Sequence, residues 1–317
     1  MKQQAMRAYG FHLAVILGLF LAQYVLPAYH MGAFTRIMVY AVLAIGYNVL
    51  YGYTGLMSLG HAMFFAAGAY GAGLSVHWLG FGPIAAFASG IGAAFLVSIL
   101  TGIVVLRVSG VAFLIVTLML AQAAFLATLY FNSITLGDQG IVITLRPIEI
   151  AGTSLQLSDP VVKYNTALVA FALALLFSLW LLRSPIGRIL IAIRENEART
   201  RLLGYNTFLY RFAALVISGT MSGLAGALYC LLFAYVGSSF ASLQYSTLPL
   251  LYTLLGGTGV TLGPLAGTAI MYYLIDISSE FTSSYMIIVG AALLIITLWF
   301  PDGIAGRARR LIGRGTA

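Results

Sequence analysis

Apolar residues in this chain run in long blocks, and polar residues fall mostly in short breaks between them. Blocks nearly free of charge lie near 11–27, 34–51, 57–76, 83–106, 111–131, 166–182, 212–234 and 284–300. Each approaches the roughly 20 residues a helix needs to cross a hydrocarbon core. A further apolar stretch, 246–280, is interrupted by GGTGVTLGPLAG and reads as two shorter segments with a break between them. The blocks are continuous and rich in glycine, whereas barrel strands would alternate apolar and polar positions over about ten residues. The pattern predicts an all-α polytopic membrane protein of about ten transmembrane helices, eight to ten according to how the interrupted pair is counted.

Composition fits that solvent. Hydrophobic residues make up 61% of the 317 and charged residues 8%, against about 25% charged in a soluble domain. The whole chain, 1–317, is expected to form one transmembrane domain. Lys2 and Arg7 followed by an apolar run to Leu26 resemble a secretory signal. However, YVLPAYHMG offers no small-x-small cleavage site, so a retained first helix is expected. The single cysteine, Cys230, falls inside a predicted crossing and has no partner for an internal disulfide.

Charge sets the orientation. With ten crossings and both termini cytoplasmic, thirteen of the sixteen basic residues lie inside, among them the six arginines of 183–211 and the four of a basic tail, 301–317. Only Arg36, Arg146 and Lys163 fall outside, which is the asymmetry of the positive-inside rule. The segment 132–165, with Asp138, Glu149 and Asp159, becomes a periplasmic loop. The net charge of +8 suits an anionic inner leaflet, worth about 1 kcal/mol per basic residue near the surface, and calls for no nucleic acid.

The loop 183–211 is unlike the rest of the chain. Ser184-Pro185 is a good helix start. Ile186, Ile189, Leu190 and Ile193 then recur at helical spacing. Glu195 and Glu197 are expected in the first turn of a second helical segment, where acidic groups suit the dipole. Leu202 and Leu203 give that segment an apolar patch, and Gly204 is a natural stop. Such an amphipathic helix either lies on lipid or docks a soluble cytoplasmic partner, and the residues leave both open.

Other signals are weaker or absent. No carboxylate falls mid-crossing, which counts against a proton-coupled carrier, although Na⁺ sites can be built from carbonyls and hydroxyls. No GxxxxGK[ST] phosphate loop occurs, so ATP-driven transport would need another chain to hydrolyse ATP. The four histidines lack metal spacing, and no nucleophile–base pair suggests an enzyme. Gly219, Gly223 and Gly226 form overlapping small-residue spacings that permit close helix packing. A second glycine-rich stretch, Gly52 to Gly73, adds Ser58 and His61. Asn48 and Gln122 are polar residues in mid-helix. Ser58 and His61, with Gly256, Gly257 and Gly259 of the break, are candidates for a polar passage; equally, these residues serve only to pack and tie helices.

GLMSLGHAMFFAAGAY closely resembles the G-x-x-S-L-G-H-x-x-F-x-x-x-G-A-Y signature of branched-chain amino acid ABC importer permeases of the M type. The resemblance continues, in order, through GDQGI at 137–141, SPIGRILIAIRENEARTRLLGYN, ISGTMSGLAGALY, LLGGTGVTLGPLAG and WFPDGIAG at 299–306. It implies a permease of the vitamin B12 and ribose importer kind in a bacterial cytoplasmic membrane, working by alternating access without a cofactor of its own. Its implied partners are an H-type sister permease, two ATP-binding cassette ATPase subunits and a periplasmic solute-binding protein. Within 183–211 the resemblance implies that Arg194, Glu195, Glu197, Arg201 and Gly204 belong to the region that seats the ATPase. The chain departs from the family there, with Arg199 and Thr200 where two small residues are common. Leucine, isoleucine and valine are the implied substrates; urea, short amides and aromatic acids are carried by similar permeases. An ion-coupled secondary carrier and a channel or scaffold are the readings from other classes.

Overall fold

The structure is a computed structural model that describes residues 2–150, 153–282, 284–299 and 303–306. Its elements run α1 (Lys2–Ala22), α2 (Ala28–Thr54), α3 (His61–Leu79), α4 (Pro83–Val105), α5 (Val111–Tyr130) and the short α6 (Asn132–Thr135). Three short strands follow, β1 (Ile141–Val142), β2 (Ile148–Ile150) and β3 (Thr153–Leu155). Next come α7 (Pro160–Arg183), α8 (Pro185–Leu202), α9 (Thr207–Phe233), β4 (Tyr235–Val236) and a 3₁₀ turn at Ser238–Ala241. The chain closes with α10 (Leu243–Gly256), α11 (Gly263–Phe281) and α12 (Tyr285–Trp299).

Local chemistry explains where these helices start and stop. α7 begins at Pro160, six residues ahead of its hydrophobic block, because the Asp159 carboxylate accepts hydrogen bonds from the amides of Val161 (2.8 Å) and Val162 (3.2 Å). Ser184 caps α8 by accepting from the Gly187 amide at 3.1 Å, and Asn206 caps α9 through Leu209 at 3.3 Å. α2 ends at Gly55, whose φ of +74° is left-handed and whose amide bonds the Tyr51 carbonyl. α3 starts at His61 rather than near 57. The residues between are held irregular by side chains: Thr117 Oγ1 accepts from the Leu59 amide, and Ser58 Oγ from the Gly60 amide.

Two helices form the centre. α2 is buried along most of its length and packs against α7, α9, α10 and α11, while α9 packs against α2, α3 and α4. A helix that is apolar all round belongs in such a place. α1 leans on α7, and α12 on α11. Five helices, α2, α4, α5, α7 and α9, are each long and apolar enough to cross a membrane, so the protein is a multi-pass membrane protein. The interrupted stretch folds as α10 and α11, with the break at 257–262.

The segment 132–165 is not a simple loop. It holds α6, a β2–β3 hairpin pairing Ile148 with Leu155, and strand β1. β1 pairs antiparallel with β4, Ile141 opposite Val236, so the segment folds back onto the end of α9.

α3, α4 and α9 meet backbone to backbone. A Cβ on Gly226 would stand 1.9 Å from the Phe65 carbonyl oxygen, and one on Gly223 would stand 1.9 Å from Ala94 Cβ. A Cβ on Gly219 would be 2.6 Å from Ser98 Cβ, and one on Gly68 1.9 Å from the Gly223 carbonyl oxygen. The stripe Gly219-Gly223-Gly226 is therefore the seam of this three-helix contact.

Candidate coupling surface and helix break

α8 is two helical pieces joined at Asn196, whose φ of −160° and ψ of 98° break the helix. The Asn196 side chain caps the second piece, accepting from the Arg199 amide at 2.8 Å. Glu197 is therefore in the first turn of that piece, but Glu195 is not: it precedes the kink and ends the first piece. The expectation that both carboxylates share that first turn is corrected for Glu195: Asn196, an amide able to cap, sets the start of the second piece.

Glu197 is occupied within the fold. Its two carboxylate oxygens accept from Arg211 Nη1 of α9 at 3.1 and 3.2 Å, and Arg201 Nη2 stands 3.6 Å away. Arg211 is buried, 8% exposed, so this pair clamps α8 onto α9. Arg201 also reaches Thr207 Oγ1 at 3.5 Å. Thr200, one of the two departures from the family pattern, is buried and donates to the Asn196 carbonyl at 2.9 Å, while Arg199 is exposed. At Gly204 the φ of +90° favours glycine on backbone grounds alone, because a Cβ there would meet nothing within 4 Å. Beyond the clamp, Leu202 (89% exposed) and Leu203 (70%) project freely, and Tyr205, Phe208 and Leu209 continue the exposed apolar surface.

Arg194 is exposed, but its side chain reaches back to the end of α2 rather than outward with Leu202 and Leu203. Its Nη1 donates to the Gly52 carbonyl in the last turn of α2 at 2.6 Å. The 257–262 break lies beside it, so that a Cβ on Gly259 would stand 3.1 Å from Nη1. A helix break frees backbone groups that cannot be left bare in a membrane, and here Asn48 satisfies two. Its Nδ2 donates to the Val260 carbonyl at 3.1 Å, and its Oδ1 accepts from the Gly259 amide at 2.9 Å. Gly257 and Gly259 have φ of +110° and +76°. Gly256 faces Gly263 so closely that a Cβ there would fall 1.8 Å from the Gly263 carbonyl oxygen.

Ser58 and His61 are both buried. His61 Nε2 is 2.8 Å from Ser218 Oγ of α9, and its ring packs edge-on against Tyr47 at 4.6 Å. Its Nδ1 is buried without a hydrogen-bond partner among the described residues. Tyr47 and Asn48 are consecutive on α2, so the two groups of passage candidates meet the same turn of that helix from different sides.

Charges separate to the two ends of the bundle. Arg36 and Lys163 lie over the Phe233 ring at the C-terminal end of α9, at 5.2 and 5.8 Å. Lys163 and Arg146 line one cavity of about 410 Å³ next to Leu231 and Ala234. Arg194 and Arg211 sit at the opposite ends of α2 and α9. A larger cavity of about 680 Å³ between α7 and α9 is walled by Val169, Leu173, Met221 and Leu224 and is almost wholly apolar, unsuited to a zwitterion. Gln122 of α5 faces outward, exposed, from a helix that buries only Phe113, Thr117 and Ala121.

Charge-poor crossing helices and a backbone-to-backbone seam define a helical, multi-pass membrane protein. The chain belongs to the family described as the branched-chain amino acid transport system permease component, which matches residues 30–298. It is 29% identical over 300 residues to the high-affinity branched-chain amino acid transport system permease protein LivM of Salmonella typhimurium, covering 87% of this chain and 69% of that protein. It is 28% identical over 206 residues to a probable LivM of Methanocaldococcus jannaschii, covering 60% and 58%. To the permease protein LivH of Salmonella typhimurium it is 25% identical over 294 residues, covering 84% and 91%.

Proposed function

We propose that this chain is the M-type membrane subunit of an ATP-driven importer that moves branched-chain amino acids from periplasm to cytoplasm by alternating access. The observation that carries the reading, beside family membership, is the exposed pair Leu202–Leu203 on a helix locked to the bundle by Glu197 and Arg211. Two bare leucines on a rigid mount suit a groove on a soluble partner, here the ATPase subunit. The separation of charges between the ends of the bundle supports ten crossings, with α8 and both termini cytoplasmic and 132–165 periplasmic. The architecture follows as that of the vitamin B12 and ribose importer kind, in a bacterial inner membrane. An H-type sister, two ATPase subunits and a periplasmic binding protein complete the assembly. The outward Gln122 supports the sister: a bare amide is costly in lipid, and a neighbouring helix relieves that cost. The passage is bordered by Ser58 and His61 and by the 257–262 break; His61 Nδ1, buried without a partner among the described residues, supports a polar neighbour there.

Docking is tested by Leu202→Asp with Leu203→Asp. Both side chains are exposed, so the permease is expected to fold and to pair with its sister while losing at least ten-fold in ATPase co-purification. Wild-type co-purification and uptake would remove α8 as the seat. Topology is tested with Ser158→Cys and Arg199→Cys. Native Cys230 is buried and contributes little background. In intact cells whose outer membrane admits the reagent, an impermeant thiol reagent is expected to label position 158, and position 199 only after permeabilisation. The reverse pattern would invert the protein in the membrane.

A further inference from the structure

We propose that Arg194 and Asn48 form a relay that carries displacement of α8 to the 257–262 break, so that Arg194 acts on the permease rather than on the ATPase. The inference rests on the importer reading above and adds the residues that transmit the stroke.

The relay is continuous. Arg194 lies in the first piece of α8, two residues before the kink at Asn196. Its guanidinium takes the Gly52 carbonyl, one of the last acceptors of α2, for which the helix has no amide left. A cation there also meets the negative end of the helix dipole. The stem of the side chain runs over Gly55, where a Cβ would stand 3.3 Å from Arg194 Cγ. One turn back along α2, Asn48 holds the break through Gly259 and Val260. Gly52 has to be glycine for this contact: a Cβ there would be 2.0 Å from Asn48 Oδ1 and 2.8 Å from the Gly259 amide nitrogen. The break is thus gripped by Asn48 from within the bundle and bordered by Arg194 from the α8 side.

Consequences follow from what does and does not hold Arg194. Among the described residues it makes no ion pair, since the carboxylate of Glu197 is engaged by Arg211 and Arg201. It is not fixed by a buried salt bridge, and its guanidinium is held by a hydrogen bond to a backbone carbonyl. A shift of α8 therefore pulls on the end of α2 and on the break together. Arg194 and Asn48 are positioning residues; neither needs to touch the substrate.

The test uses the complete complex in proteoliposomes, with labelled leucine and the loaded binding protein, and reads uptake per ATP hydrolysed. For Arg194→Ala and for Asn48→Ala the ATPase subunits are expected to stay bound and to hydrolyse ATP, while uptake per ATP falls at least ten-fold. Arg194→Lys, which keeps a donor for the Gly52 carbonyl, is expected to recover part of the loss. The double variant is expected to be no worse than the poorer single one, as for two members of one chain of contacts. Should Asn48→Ala fail to assemble, Arg194→Ala, at an exposed side chain, decides alone. Unchanged uptake per ATP overturns the relay and leaves the importer reading standing. A wild-type complex without ATP-dependent uptake overturns that reading, and the relay with it.

Discussion

Gly226→Leu is expected to abolish the folded bundle. The first atom of any side chain at this position would lie 1.9 Å from the Phe65 carbonyl oxygen and 2.8 Å from its carbon, so the obstacle is backbone in the second turn of α3. Backbone cannot rotate away as a side-chain tip can. The cost should exceed the ~1–3 kcal/mol of ordinary overpacking, because α3 and α9 have to separate along their length. Gly92→Leu in α4 is the matched control, since a Cβ there meets nothing within 4 Å. In detergent the control is expected to elute as a single species at wild-type yield and Gly226→Leu to be lost to aggregation. Equal yields would mean that α3 and α9 do not cross at this glycine.

Glu197→Lys is the second large effect, and it acts on the fold before it acts on any partner. Removing the carboxylate leaves Arg211 buried and uncompensated, and the new ammonium would stand beside it. Breaking a fully buried ion pair by removing one partner costs about 3–5 kcal/mol. The Glu197 side chain is 34% exposed, so water recovers part of this and roughly 2 kcal/mol is expected. The variant should open the α8–α9 junction to protease at the exposed residues near Arg201–Tyr205, and lower its thermal midpoint. Arg211→Met, which replaces the buried cation with an apolar chain of similar length, should restore much of the stability of Glu197→Met. Unaltered protease resistance in Glu197→Lys would show that the pair does not hold the two helices together.

The sequence makes the helices legible because lipid imposes one rule on every crossing. The blocks near 83–106, 111–131 and 212–234 fall on α4, α5 and α9 to within a few residues, apart from five more at the start of α9. Gly256 and Gly263 mark the ends of the break. The starts of α7 and α8 are written in Asp159-Pro160 and Ser184-Pro185. Side-chain direction is not written locally. Arg194 and Arg199 look alike in the sequence and both are exposed, yet Arg194 reaches back to the Gly52 carbonyl because α2 ends beside it. Asn48 is visible as a polar residue in an apolar helix, but its partner is 212 residues away. Gln122 shows the converse: α5 is apolar by composition, and only its neighbours decide that the amide faces outward. Strands β1 and β4 are two residues each, too short for any periodicity.

The central claim is that transport through this chain is driven by ATP hydrolysed on another. It is tested most directly by uptake of labelled leucine into proteoliposomes that hold this chain, its sister and the ATPase subunits, with binding protein outside and ATP inside. The account predicts uptake that requires both ATP and binding protein and persists when ionophores collapse every ion gradient. Uptake that ionophores abolish, and that proceeds without ATP, would contradict it and make the protein an ion-coupled carrier.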